Sequence, residues 1–311
     1  MAQKLLFLVN PHAGRSEIKN YLLEIVDQFT KEGWDTTVVT TQRAGQIPLL
    51  LDERRGEFQR VVCCGGDGTL NETINGLMNW NPRPLLGYIP GGTTNDFASS
   101  LGLHRSMPDA GRTCVQGEPF PVDIGRFGSR YFAYVAAFGA FTSVSYGTPR
   151  HFKNLLGRAA YILEGILSLP TIKTYSMTVE CDGQIIKGDY VFGMVANSTS
   201  VGGIPMGRRL DVSLNDGLLE LVLVKYPHSA IEAQQLLTAL AAHEPSSELL
   251  RFCRASSFRI HSQEPLSWTL DGEFGGEVTD VEIKVCAQAI SVLTPSGAVP
   301  GTGENHLAKE D

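Results

Sequence analysis

The chain has 311 residues, 42% of them hydrophobic, which is enough to bury a large core and favours about two domains over one. Its formal net charge of −7 argues against a nucleic-acid-binding protein that works through a general basic field. No apolar run approaches the roughly 18 residues of a membrane-spanning helix, and the six cysteines form neither a CxxC pair nor a disulfide framework. These features predict a folded cytoplasmic protein in a reducing compartment.

The first third of the chain alternates between strand-like and helix-like segments. The strand-like runs are KLLFLVN (4–10), WDTTVVTT (34–41), QRVVCCGG (59–66) and PLLGYIPGG (84–92), and helical patterns cover 16–33, 46–57 and 70–79. Such alternation is typical of βαβ units. It predicts a doubly wound α/β domain with a parallel sheet.

The pattern changes near residues 120–130 to alternating β-type segments. These segments cover 130–139, 175–183, 190–199, 218–226, 257–262, 266–273 and 279–294, with helices predicted at 152–168 and 231–244. The alternation favours a mostly antiparallel β-domain. We expect domains at 1–125 and 126–289, with the segment 290–311 completing the first and its last polar residues forming a mobile tail.

A Gly-rich turn lies between the third strand and the following helix, in VVCCGGDGTLNE (61–72). Glycines at 65, 66 and 68 expose backbone N–H groups at the positive end of a helix dipole, which suits a phosphate. No Lys-Ser/Thr pair follows, so the turn is not a Walker loop. The carboxylate of Asp67 would repel phosphate unless a cation lies between them or it accepts a hydrogen bond. Both exceptions indicate phosphoryl transfer.

Two further polar loops follow predicted strands. Asn10–Gly14 comes after the first strand, and Pro90–Phe97 comes after the fourth. Either loop alone is explained by a plain turn. Because open α/β sheets bind ligands at the carboxyl ends of their strands, three such loops at one edge predict a ligand site there.

These motifs are similar to those of a known family. NPHAG, GGDGTLNETINGL and PGGTTNDFA together resemble the three N-terminal signatures of the diacylglycerol kinase catalytic family, which includes bacterial lipid kinases and, more distantly, sphingosine and ceramide kinases. The resemblance continues through VDIGRFG, LGRAAYIL, NDGLLELVLV and DGE, from Leu5 to about Thr294. It implies a NAD-kinase-like α/β domain, a β-sandwich domain, and an ATP- and magnesium-dependent kinase that phosphorylates a lipid hydroxyl, with diacylglycerol as the favoured acceptor.

The resemblance also implies the site residues. Those matched to ATP contacts are Asn10, Pro11, His12, Ala13, Gly14, Thr41, Gly66, Asp67, Gly68, Thr69, Leu70, Asn71, Glu72 and Thr93. Asp67 is expected to act in catalysis beside the phosphates and their magnesium. Glu273, in Asp271-Gly272-Glu273, matches the proton acceptor for the lipid hydroxyl. Without the resemblance, Asp-Gly is an ordinary hairpin turn beside a solvated acid.

A second matched site is a structural magnesium ion, for which oxygen ligands are suitable. The matched ligands are the side chain of Asp216 and the main chain near Ser213 and Leu218. Asp123 would link this site to the nucleotide side. The chain departs from bacterial members upstream of the site, with Val201-Gly202-Gly203 in place of three glycines and Arg209-Leu210 in place of an Ala-Pro pair. The loop Met206–Arg209 could instead present two arginines to anionic headgroups.

A basic amphipathic stretch covers residues 150–174. Its basic side chains, which outnumber the single Glu164, are Arg150, Lys153, Arg158 and Lys173. Such a stretch can dock on an anionic membrane surface, which predicts a location peripheral to the inner face of the membrane. The commoner alternative is a helix that packs on its own domain and leaves a solvated charged face.

Two other functions stay open at this point. A NAD kinase-like enzyme also uses a GGDGT loop, and a non-catalytic ATP- or lipid-binding regulator could keep the same fold. The NPxAG start, the TxNDF motif and the late DGE favour the lipid kinase, and the intact Asp67, Asn71, Glu72 and Glu273 favour an active enzyme. The sequence allows a homodimer without requiring one, and no readable code specifies the acceptor lipid.

Overall fold

A computed structural model describes residues 3–93, 95–104, 106–139, 173–198, 200–201, 204–205, 213–242, 248–298 and 300. The chain divides into two compact units, Met1–Ile124 with Ala287–Asp311, and Gly125–Cys286. The predicted helix at 152–168 and the loop at 206–209 lie outside the described residues. Among the helices that are described, none is both long and apolar enough to cross a membrane.

The first unit is an α/β domain with a parallel sheet. Its strands are β1 (Gln3–Val9), β2 (Trp34–Thr40), β3 (Arg60–Gly65) and β4 (Leu85–Pro90), and its helices are α1 (Ile18–Lys31), α2 (Gln46–Glu53), α3 (Asp67–Leu77), α4 (Asp96–Ser100) and α5 (Met107–Gln116). The strand order is β2-β1-β3-β4, with every neighbouring pair parallel. Val292, near the end of the chain, pairs in parallel with Leu86 of β4. The predicted α/β class is confirmed.

Apolar side chains on both faces of the sheet explain why these segments pack together. The four consecutive residues Leu5–Leu8 are fully buried, so both faces of β1 are covered, as in other parallel sheets. On one face, Phe7 meets Phe29 of α1 edge to face, with ring centroids 5.4 Å apart. Helix α1 contacts α5, and α2 contacts α3. Because the faces of the sheet are covered, the loops that a ligand could reach lie at the ends of the strands.

The second unit is a mostly antiparallel β-domain. Its strands, two of which extend into the first unit, are β5 (Glu118–Phe127), β6 (Arg130–Phe132), β7 (Val135–Gly139), β8 (Tyr175–Cys181), β9 (Gln184–Tyr190), β10 (Phe192–Ala196), β11 (Ser200–Val201), β12 (Ile204–Pro205), β13 (Leu219–Val224), β14 (Leu250–Ala255), β15 (Ser257–Leu270) and β16 (Glu273–Thr294), and its described helix is α6 (Ala230–Ala242). The run β14-β13-β10-β7-β15-β16 is antiparallel throughout. Trp268 packs against Phe127 and Phe138 in the core. The predicted antiparallel domain is confirmed.

Several elements differ from the sequence prediction. The single β-segment expected at 130–139 is two strands, because the N–H groups of Ala133 and Tyr134 donate to the carboxylate of Asp271 instead of to a neighbouring strand. The segment 257–262 and residues 266–270 of the next segment are joined in β15, whose pairing shifts register between His261 and Leu266. The prediction missed α4, α5, β5, β9, β11, β12 and β14.

All six cysteines are free. Cys63, Cys64, Cys114 and Cys181 are buried, and Cys253 and Cys286 are half-buried. Burial raises the pKa of the Cys63 thiol to about 12, so this thiol stays protonated at neutral pH. Cys63 therefore behaves as a small apolar residue of the sheet.

Candidate functional site

The three loops singled out in the sequence lie together at the carboxyl edge of the parallel sheet. The Gly91 N–H donates to the Gly65 carbonyl at 2.7 Å, and the Asn10 N–H donates to the Cys64 carbonyl at 2.9 Å. The loops after β1, β3 and β4 are thus joined through their main chains. We call residues Asn10–Gly14, Gly65–Thr69 and Pro90–Thr93 the three-loop cradle.

Glycine is required where the loops of the cradle approach one another. Gly14 has a φ of +53°, and a Cβ at this position would lie 2.3 Å from the Gly91 carbonyl oxygen. A Cβ on Gly92 would lie 2.7 Å from the Cα of Gly66. Since real Cβ atoms do not approach so closely, any side chain here would push the loops apart. The cradle is therefore a surface of bare main chain that a ligand can approach closely.

Asn10 holds the first loop in place. Its Nδ2 donates to Thr69 Oγ1 at 3.1 Å, and its Oδ1 accepts the His12 N–H at 3.0 Å in an Asx turn. The side chain of Asn10 therefore orients the NPHAG loop against α3. Its predicted contact with ATP stays a prediction.

Helix α3 opens directly onto the cradle. It begins at Asp67, after Gly66 in extended conformation, and the N-cap residue Gly66 has no side chain to cap the first turn. The first N–H groups of a helix have no partner within the helix, and the dipole places partial positive charge beside them. In contrast, Leu70 is fully buried and its N–H donates to the Gly66 carbonyl, so it supports the helix from the core. The open N-terminus suits an anionic ligand.

Asp67 is the chemically unusual residue of the cradle. Burial raises the pKa of its carboxyl, and the backbone N–H groups of Asp96, Phe97 and Asn95 oppose that shift. Its Oδ1 is buried and has no hydrogen-bond partner among the residues that the structure describes. A buried oxygen without a partner is costly unless a ligand completes it. A carboxylate oxygen is a preferred magnesium ligand, so this position fits a magnesium ion that accompanies a nucleotide.

Glu72 has a role that the sequence did not reveal. Its two carboxylate oxygens accept the N–H groups of Gly45 at 2.7 Å and Ile47 at 3.3 Å, at the N-terminus of α2. A carboxylate in this position satisfies free N–H groups and interacts favourably with the helix dipole. The loop after Thr41 is therefore tied to α3 by Glu72. Thr41 itself is half-buried, and its N–H donates to the Val9 carbonyl at 2.8 Å.

Replacing Glu72 by alanine should destabilise the protein measurably. Loss of a helix cap costs about 1 kcal/mol, which corresponds to a fall of about 2–4 °C in the midpoint of thermal unfolding for a domain of this size. Glu24→Ala is the matched control, because Glu24 is exposed on α1 and makes none of these contacts. Equal midpoints for the two variants in differential scanning calorimetry would contradict the capping role.

Glu273 lies at the hairpin that joins β15 to β16. Asp271 and Gly272 form the turn, and Glu273 is the first residue of β16 and pairs with Leu270. The predicted turn at the end of this strand is confirmed. The side chain of Glu273 is exposed, and no hydrogen bond to it is found within the described residues. Its carboxylate is therefore available to a substrate.

The segment Ser213–Leu218 is arranged differently from a metal site. Asp216 Oδ1 accepts the Leu218 N–H at 3.0 Å, and Asp216 Oδ2 pairs with Nη2 of Arg254. The Nε of Arg254 donates to Oε1 of the fully buried Glu220 at 3.2 Å. Ser213 Oγ donates to the side chain of Asn215. Within the described residues, no group of three or more His, Cys, Asp or Glu side chains could hold a metal ion.

The carboxylate of Asp216 has contacts that offer an alternative to a metal ion. Both oxygens of Asp216 already have partners, and the guanidinium of Arg254 supplies the positive charge that a metal would bring. Burial raises the pKa of Glu220 to about 8, against the opposing effect of Arg254. The role in magnesium binding expected for Asp216 and for the main chain near Ser213 and Leu218 stays a prediction. Asp123, the expected link, is buried and accepts the Gln288 N–H at 2.6 Å.

If Arg254 takes the place of a metal ion at Asp216, magnesium should give no stabilisation that depends on this residue. An ion that binds only the native state, at a concentration 100 times its Kd, would add about 2.7 kcal/mol to the free energy of unfolding. We expect the shift in unfolding midpoint between excess EDTA and excess magnesium, without nucleotide, to be the same in the native protein and in Asp216→Asn. A magnesium-dependent rise that Asp216→Asn abolishes would show that the site binds the ion.

Comparison with known proteins agrees with this geometry. Residues 4–127 match the family model of the diacylglycerol kinase catalytic domain, and residues 141–294 match that of the YegS C-terminal NAD kinase beta sandwich-like domain. The diacylglycerol kinase of Bacillus subtilis strain 168 is 34% identical over 271 residues, which cover 86% of this chain and 89% of the relative. The diacylglycerol kinase of Staphylococcus carnosus strain TM300 is 31% identical over 302 residues, which cover 95% of this chain and 96% of the relative.

A solved structure gives the same result. A crystal structure assigned as a diacylglycerol kinase from Bacillus anthracis strain Sterne superposes with a TM-score of 0.81 at 27% sequence identity and covers 96% of this chain and 99% of its own. The identity and coverage of the curated relatives, together with the two matched domains, are sufficient to place the protein. The chain belongs to the diacylglycerol kinase family.

Proposed function

We propose that this protein is an ATP- and magnesium-dependent lipid kinase that transfers the γ-phosphate of ATP to diacylglycerol and forms phosphatidic acid. The observation that carries the proposal is the buried Oδ1 of Asp67, which has no hydrogen-bond partner within the described residues and lies at the N-terminus of α3, where Gly66 provides no side-chain cap. The relatives named diacylglycerol kinase support the choice of acceptor. In this proposal residues 1–125 bind the nucleotide and residues 126–289 bind the lipid.

The three-loop cradle would hold the phosphates. Its main chain can approach them closely because no side chains intervene at Gly14, Gly66 and Gly92. When bound, magnesium neutralises charge on the phosphate oxygens during transfer. Asp67 would hold that ion through Oδ1, and Asn10 and Glu72 would keep the loops on either side in position.

Glu273 would accept the proton of the lipid hydroxyl. An alcohol is a weak nucleophile at neutral pH, so a base in hydrogen-bond reach of its proton assists attack. The hydroxyl oxygen forms a bond to the γ-phosphorus, the bond from that phosphorus to the bridging oxygen breaks, and ADP leaves. The proton passes to the Glu273 carboxylate, which is exposed at the hairpin.

We also propose peripheral contact with an anionic membrane surface, where the substrate resides. Three of the basic side chains predicted to make this contact lie outside the described residues. The fourth, Lys173, lies 2.5 Å from a carboxylate oxygen of Glu264, so part of its charge is used within its own domain. A homodimer likewise stays a prediction.

The acceptor can be tested with γ-labelled ATP and magnesium in parallel incubations. One contains a membrane-lipid extract, whose labelled product is identified by mass spectrometry, and the other contains NAD. We expect the label in phosphatidic acid alone. Label in NADP would favour a NAD kinase, and no label in either incubation would favour a regulator that binds ligands without turnover.

A further inference from the structure

We infer that Asp271 is a positioning residue that fixes the hairpin carrying Glu273. The inference rests on the proposed function, because it assigns Asp271 a part in the same reaction. Asp271 is two residues before Glu273 and is a buried residue, 4% exposed, so it does not compete for the substrate proton.

The carboxylate of Asp271 accepts three main-chain hydrogen bonds. Oδ2 accepts the Ala133 N–H at 2.6 Å, and Oδ1 accepts the N–H groups of Tyr134 and Val135, each at 3.0 Å. The Asp271 N–H returns a bond to the Val135 carbonyl at 2.8 Å. These partners are 136 to 138 residues away in the chain, so the bonds join the hairpin to a distant segment.

A second contact fixes the other side of Glu273. Nη1 of Arg130 donates to the Phe274 carbonyl at 2.8 Å. Asp271, two residues before Glu273, and Phe274, directly after it, are therefore both bonded to the segment Arg130–Val135. Because the main chain is held on both sides, the remaining freedom of Glu273 lies in its side-chain torsions. A base that must meet a proton within hydrogen-bond distance benefits from such a fixed main chain.

An ordinary hairpin aspartate serves as the comparison. Asp182-Gly183 forms the turn between β8 and β9 with φ angles of +43° and +88°, close to the +49° and +87° of Asp271-Gly272. The carboxylate of Asp182 also accepts a main-chain N–H, from Ser256 at 3.0 Å. Asp182 nevertheless precedes no candidate base. The two residues match in turn conformation, and both accept main-chain N–H groups, but Asp182 is exposed and accepts one such group where the buried Asp271 accepts three.

The test compares Asp271→Asn, Glu273→Gln and the double variant, with Asp182→Asn as the control. An asparagine amide turns an NH2 group towards at least one of the three donors and breaks that bond. We expect Asp271→Asn to lower kcat by about 10–100-fold with an unchanged KM for ATP, as for a reacting group misplaced by about 1 Å. We expect Asp182→Asn to keep the native kcat.

The double variant separates positioning from general structural support. If Asp271 acts through Glu273, Asp271→Asn should leave the residual rate of Glu273→Gln unchanged. The inference would be overturned if Asp271→Asn lowered the rate of Glu273→Gln by the same factor as it lowers the native rate. A native kcat for the single Asp271→Asn variant would also overturn it. Retention of near-native kcat by Glu273→Gln would instead contradict the proposed base, which is a different failure.

A second variant covers the case in which Asp271→Asn does not fold. Arg130 is exposed, and Arg130→Met removes only the contact on the other side of Glu273. We expect a lower kcat with an unchanged KM for ATP. A native kcat in this variant would overturn the inference.

Discussion

Glu273→Gln should lower kcat for lipid phosphorylation by roughly 10²–10⁴-fold, the usual contribution of a general base. Glutamine has the shape of glutamate and cannot accept the proton of the lipid hydroxyl. Because Glu273 is exposed and makes no hydrogen bond within the described residues, the substitution should leave folding unchanged. Steady-state kinetics with diacylglycerol vesicles would measure the effect, and isothermal titration with ATP should show native affinity.

Glu277→Gln is the matched control for this experiment. Glu277 lies on the same strand, is also exposed, and pairs with Ser267. Glu277→Gln should leave kcat within a factor of about two of the native value, as expected for a surface substitution away from the site. If Glu273→Gln behaves like Glu277→Gln, Glu273 is not the base, and Asp67 becomes the next candidate.

Asp67→Asn should lower kcat by roughly 10²–10³-fold, the range measured when one electrostatic contact to the transition state is removed. The amide keeps the shape of the side chain and loses the charge that would hold magnesium. The concentration of magnesium that gives half-maximal rate should rise as well. Titration of the rate with magnesium at saturating ATP would measure both effects.

Asp35→Asn controls for the loss of one negative charge in the same unit, since Asp35 is exposed on β2. We expect its kcat and magnesium requirement to match those of the native protein. A native magnesium requirement in Asp67→Asn would show that the buried Oδ1 does not face the ion. The carboxylate would then have a structural role only.

Much of the fold follows from local patterns in the sequence. The helices α1 to α3 follow the helical period of 3.6 residues, and β1, β3 and β4 are short continuous apolar runs of the kind that parallel strands buried on both faces show. Helix α5 was missed although its start carries a capping signal, with Ser106 accepting the Asp109 N–H and Pro108 in the first turn. Many of its buried side chains are small, as at Ala110, Gly111 and Thr113, so the segment has no long apolar pattern.

The division between β6 and β7 could not be predicted from local sequence. It depends on the carboxylate of Asp271, which takes the N–H groups of Ala133 and Tyr134 from 138 and 137 residues away. The Asp-Gly pair predicted the turn correctly because the conformation of a turn is local. The partners of the aspartate are a property of the tertiary fold.

The candidate site shows the same limit. The glycines of the cradle and the acid of the GGDGT loop were predictable because each depends on a strand, a turn and a helix adjacent in sequence. The capping of α2 by Glu72 and the pairing of Asp216 with Arg254 join residues 27 and 38 positions apart. Such pairings are decided by which elements pack together, so a motif alone could not distinguish a metal ligand from a partner of arginine.

The central claim is transfer of the γ-phosphate to diacylglycerol at a site that depends on Glu273. The most direct measurement incubates the purified protein with γ-labelled ATP, magnesium and diacylglycerol in anionic vesicles and quantifies labelled phosphatidic acid. We expect steady formation by the native protein and a rate lower by roughly 10²–10⁴-fold for Glu273→Gln. No phosphatidic acid from the native protein, or equal rates for both proteins, would contradict it.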